Sequence, residues 1–142
     1  MTTKLTVILI LIFGLASKAK ADTIDYWHIY YNNVKIREFN SYGKNEIVIK
    51  SDKIKNNDSL KVIYFRDTRC DNCQTMLTVD AQKDIQILKV MGTGISRPII
   101  FSLKSLLLYK QQTGKSYFEV CYTDKENIFQ ALKPVIFSIR LE

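Results

Sequence analysis

From Asp22 onward, apolar and polar side chains alternate with a period of two, in runs of five to eight residues separated by polar or glycine-containing breaks. A strand sends successive side chains to opposite faces, so this period commits the chain to β-structure. Residues 26–31 and 34–39 flank Asn32-Asn33, two residues that tolerate positive φ and suit the tight turn of a hairpin. Residues 46–50, 75–79, 85–91, 98–103, 117–123 and 134–141 continue the pattern. In the last run Val135, Phe137, Ile139 and Leu141 are expected inward, against Ile136, Ser138 and Arg140. Within 60–66, Val62-Ile63-Tyr64-Phe65 leaves neither face polar, which predicts a central strand covered on both sides. Residues 53–59 are polar enough to connect two strands through solvent.

The period changes once. Leu103, Leu106, Leu107 and Lys110 share one helical stripe, Ser102 or Ser105 can accept hydrogen bonds from a free first turn, and Gly114 can close the last turn. A short helix near 104–112 follows. Eight or nine strands at roughly 10-residue spacing, joined by short connections, predict an all-β fold: a two-sheet antiparallel β-sandwich with one crossover helix. The chain lacks internal repeats and low-complexity tracts, and residues 22–142 are expected to form one domain.

The N-terminus reads differently. Lys4 precedes an apolar run over 5–16, and Ala19-Lys20-Ala21 places small residues where a signal peptidase cuts, so residues 1–21 are expected to be a signal peptide. Twelve apolar residues rise about 18 Å as a helix, short of the roughly 20 residues a bilayer core requires. No later segment approaches transmembrane length. The expected destination is periplasmic or secreted. Loss of Lys4, Lys18 and Lys20, with no acid, lowers the formal charge from +7 to +4. The remaining cations are spread from Lys35 to Arg140 among acids, which argues against a nucleic-acid partner.

The strand pattern, with its helical crossover before Tyr117-Phe118-Glu119-Val120-Cys121-Tyr122, resembles an immunoglobulin-like or fibronectin-like sandwich. It is also similar to small bacterial exported β-sandwich proteins of unassigned function. That likeness implies a fold and no activity. The sequence departs from a true immunoglobulin pattern because Trp27 precedes all three cysteines.

Cys70 and Cys73 fall in the break between two strands, and an oxidising compartment favours a disulfide between them across the hairpin tip. On the chain-entropy account such a small loop contributes roughly 2 kcal/mol, whereas a Cys73–Cys121 bridge would contribute roughly 4, and that longer pairing stays open. The same Cys-x-x-Cys could serve thiol–disulfide exchange, with Arg66 and Arg69 favouring a thiolate. Redox enzymes of that kind place the first cysteine at a helix N-terminus, and here the following residues read as a strand. Zinc held by Cys70, Cys73, Cys121 and His28 would compete with the disulfide, and no second close-spaced pair supports it. No metal or cofactor is assigned.

His28 is the only histidine, no carboxylate pair stands out, and Gly92-Thr93-Gly94 opens no predicted helix, so no catalytic residues are assigned. Alternation groups Trp27, Ile29 and Tyr31 on one strand face and Tyr26, His28 and Tyr30 on the other. An accessible Tyr26-His28-Tyr30 face would be a binding surface. The expected function is an exported, non-enzymatic binding or protein-interaction module of the cell envelope, its partner an unknown protein or envelope ligand. The alternatives are a periplasmic thiol/disulfide-active protein using Cys70 and Cys73, and a subunit or assembly factor whose exposed strands pair with a partner by edge addition.

Overall fold

A computed structural model describes residues 25–40, 45–82, 85–124 and 134–142. The expected signal peptide and its cleavage point lie outside these residues. Nine strands and one α-helix are described: β1 (Tyr26–Tyr31), β2 (Val34–Phe39), β3 (Glu46–Ile49), β4 (Ser59–Phe65), β5 (Gln74–Asp80), β6 (Gln86–Thr93), β7 (Ile99–Ser102), α1 (Leu103–Thr113), β8 (Tyr117–Asp124) and β9 (Val135–Leu141). They form two sheets, ordered β2-β1-β4-β7 and β3-β9-β8-β5-β6, in a sandwich-like arrangement.

Local sequence accounts for much of this. Asn32 and Asn33 both take positive φ, 45° and 73°, the signature of a turn whose twist matches the strands it joins. At the start of α1 the Ser102 side chain accepts a hydrogen bond from the Lys104 amide, and Gly114 closes the helix in the left-handed region at φ 73°. Inward positions of the two sheets then meet. Trp27 and Ile29 of β1 are fully buried, as are Leu77 and Val79 of β5. Trp27 stacks on Tyr64, which touches Tyr122 across the sandwich, and Phe39 meets Phe137 the same way. Tyr109 of α1 packs edge-on against Phe118, so the helix lies over the core.

Three expectations are corrected. β3 and β9 pair in parallel, so the architecture is mixed rather than purely antiparallel: short connections govern only strands that are neighbours in sequence, and these two are not. Strict alternation fails in β9, where a shift opposite Cys121 leaves Ile136 as an extra residue, and Ile136 is buried along with Phe137. β4 is central in its sheet, yet Ile63 and Phe65 on its outer side are only half-buried. On that outer side Phe65 packs against the Tyr26 and His28 rings.

The two flanks of the sandwich differ. On one flank β6 passes into β7 through a turn in which the Gly94 and Ile95 amides donate to the carbonyls of Cys73 and Cys70, at 2.7 and 2.9 Å. A Cβ on Gly92 would sit 2.6 Å from the Thr75 hydroxyl of the neighbouring strand and 3.2 Å from Ile99 of the facing sheet, so a larger residue there would have to displace them. The other flank has β2 and β3 as its edge strands.

The hairpin turn makes the first prediction. Asn33→Val forces a β-branched residue into the left-handed region and should destabilise the fold by about 1–3 kcal/mol. Asn33→Gly should stay close to wild type, although it too loses the hydrogen bond that Lys61 donates to Asn33. Urea denaturation of both variants separates the backbone effect from the lost contact.

Candidate functional site

Between the edges of β2 and β3 lies a cleft of about 750 Å³, within the size range of small-molecule and peptide sites. One wall is β3 seen edge-on: every residue from Glu46 to Lys50 lines it, inward and outward side chains alike. The opposite wall is the β1–β2 hairpin. Here β2 carries a bulge, because Tyr30 pairs with Lys35 and Ile29 with Arg37, leaving Ile36 as an added residue. The bulge turns both Ile36 and Arg37 toward the cleft. Arg37 stands opposite the buried Ile29 and so belongs to the inner face of its sheet, where a strand normally places an apolar residue.

Asp58 closes the lower end. Its carboxylate accepts hydrogen bonds from the Tyr31 hydroxyl, from the Asn32 side-chain amide at 2.6 Å and from the Lys55 backbone amide at 2.8 Å. Its own carbonyl accepts from the Leu103 amide at 3.0 Å, where α1 begins. These donors, led by the Lys55 amide, hold the Asp58 carboxyl below its ordinary value. Burial and the neighbouring carboxylate push the Tyr31 hydroxyl up to about 12. Asp58 is buried, so residues 53–59 are not wholly the solvated connector that their composition suggested.

The charge on the rim is predominantly positive. Glu46 is engaged by Arg140 at 3.1 Å and Asp58 by the donors just named. Among the described residues Arg37 and Lys50 face no carboxylate, and Lys53 has only the exposed Asp52, 3.8 Å away. Cations that are scattered in sequence are thus gathered beside an apolar floor of Ile36, Ile47 and Ile49.

The Tyr26, His28 and Tyr30 side chains lie on the far side of the β1–β4 sheet from the core and are half-buried. Tyr26 and His28 pack on Phe65, with ring centroids 4.8 and 4.7 Å apart. His28 Nε2 lies 2.9 Å from Glu38, whose carboxyl is held below its usual range chiefly by the Lys35 ammonium. The Lys61 ammonium sits 4.6 Å from the centre of the Tyr30 ring, a cation–π contact. The structure therefore brings these three residues together with Phe65, Lys61 and Glu38.

Cys70 and Cys73 stand at disulfide distance, with Cα atoms 5.6 Å apart, and β5 rather than a helix follows Cys73. Arg66, which could have favoured a thiolate, pairs instead with Asp124 at 3.1 Å, joining the ends of β4 and β8. Cys121 lies opposite Thr78, with its sulfur 3.9 Å from Asp80. Among the described residues no three His, Cys, Asp or Glu side chains gather as a metal site would require. Within the same residues no helix is long and apolar enough to cross a membrane.

The Asp58 network carries a pH dependence. A carboxyl whose folded pKa is depressed contributes stability that is complete above the unfolded value of 3.8 and is lost as pH falls through the lower folded value. The gap in urea midpoint between wild type and Asp58→Asn should therefore shrink from about pH 5 to pH 3. A gap that stays constant over that range would show that the carboxylate charge does not hold the turn.

Comparison with protein-family models, with curated proteins and with solved structures found no match.

Proposed function

We propose that the protein is an exported, non-enzymatic binding module of the cell envelope, periplasmic or secreted, built as an immunoglobulin-like sandwich with its ligand site in the cleft between β2 and β3. The cleft carries this reading. It combines an apolar floor with two cations, Arg37 and Lys50, that no carboxylate among the described residues meets, at the flank formed by the edge strands β2 and β3. The bulge at Ile36 and the inner-face arginine support it, because each departs from what a sheet needs for its own stability. Export rests on the pattern of residues 1–21. The half-buried Tyr26-His28-Tyr30 face is a second contact surface of the same module, on the opposite side of the hairpin. Thiol–disulfide exchange at Cys70 and Cys73 has less support, since a strand rather than an activating helix follows Cys73.

The apolar sulfonate 8-anilinonaphthalene-1-sulfonate tests the cleft directly. The purified native chain should bind it saturably at one site. Reversing two rim charges, Arg37→Glu with Lys53→Glu, should weaken binding about tenfold without changing the thermal midpoint. An absence of saturable binding, or binding indifferent to the reversal, would remove the cleft as the ligand site.

A further inference from the structure

The backbone of β3 says more about what the cleft accepts. The Ser138 amide donates to the Asn45 carbonyl at 2.7 Å, the Glu142 amide to the Ile49 carbonyl at 3.0 Å, and the Ser51 amide to the Glu142 carbonyl at 2.6 Å. Asn45, Ile49 and Ser51 thus address β9. Along a strand, successive residues point their N–H and C=O groups to alternate sides. The N–H and C=O groups of Glu46 and Val48 and the N–H of Lys50 therefore point away from β9 and into the cleft, and among the described residues no strand receives them, while the Lys50 carbonyl already accepts from the Lys53 amide at 3.1 Å. A small apolar anion would satisfy the floor and the cations but leave this row of donors and acceptors unused.

We infer that the cleft accepts an extended, carboxylate-bearing strand of a partner protein, which adds to the free edge of β3 while its acidic side chains meet Arg37, Lys50 and Lys53. The inference rests on the cleft being the ligand site. Main-chain hydrogen bonds to Glu46, Val48 and Lys50 supply the affinity that strand addition always has, whatever the partner's sequence. Selection comes from charge. A sheet edge bearing cations disfavours neutral apolar strands, which would desolvate the charges without pairing them, and repels other basic strands. A strand with carboxylates turns the same barrier into attraction. The apolar floor of Ile36, Ile47 and Ile49 takes its alternate side chains.

The probe is a capped hexapeptide of alternating Glu and Val, titrated into the ¹⁵N-labelled chain. Binding should shift the amide resonances of Glu46, Val48 and Lys50. It should weaken about tenfold or more in the ester analogue, which keeps every side chain but has oxygen in place of each backbone N–H. The Arg37→Glu, Lys53→Glu variant should lose a similar factor for the acidic peptide and gain affinity for a Lys-Val counterpart. Equal binding of peptide and ester analogue would reduce the site to a cation patch and overturn strand addition. Self-association of the chain that occupies the same β3 amides would overturn the assignment to a partner protein. Sulfonate binding in the cleft with no peptide binding would defeat this inference and leave the binding-module reading standing.

Discussion

Asp58 ties together the hairpin tip, the turn before β4 and the start of α1, which the β1–β4 and β4–β7 ladders bring side by side. Its carboxylate meets Tyr31 and Asn32 at the tip of the β1–β2 hairpin and the Lys55 amide in the turn before β4, and its carbonyl meets the first residue of α1. A buried charge is costly unless fully hydrogen-bonded, and three donors to one carboxylate meet that condition. The hairpin tip is thereby fixed against the start of β4 at one end of the cleft. Asn32 reinforces the join from both directions, donating through its backbone to the Ser59 carbonyl and accepting at its side chain from the Ser59 amide.

How far this was legible in the sequence depends on the range of the interaction. The hairpin, the helix and its caps were readable because Asn32-Asn33, Ser102 and Gly114 act on their immediate neighbours. Asp58 was not readable. In a polar stretch it looks like any turn aspartate, and its burial is decided by Tyr31 and Asn32, more than 20 residues away. The same reason hid the cleft. Arg37 and Lys50 carry no pattern that sets them apart from other surface cations, and only the parallel pairing of β3 with β9 brings them to one flank. Bulges at Ile36 and Ile136 defeat a period-two reading by construction, since each adds one residue and reverses the parity beyond it. The Tyr26-His28-Tyr30 face was correctly grouped, whereas its partners Phe65 and Lys61 came from a strand read as wholly covered.

The contrast between the two flanks follows from how each is joined. At β6–β7 the sheets are drawn together by a short turn, by Gly92 in place of any larger residue, and by the Cys70–Cys73 loop held against Gly94 and Ile95. Side chains have no room to enter there. At β2–β3 no such tie is found among the described residues, and charged side chains stand there beside the apolar Ile36, Ile47 and Ile49. One flank of the sandwich is thus drawn together, and the other holds a cleft.

The parallel pairing of β3 with β9 also sets an order of events. β3 comes early in the chain, but the strand that fixes its position lies some 90 residues later, and Glu142 supplies both a donor to Ile49 and an acceptor for Ser51. Contacts of such long sequence separation are slow to form because the intervening chain must first be ordered. During synthesis from the N-terminus, the β1–β2 hairpin can therefore take shape while β3 is still unplaced. The cleft is completed last, so a partner strand that needs both walls can engage only a chain that has finished folding.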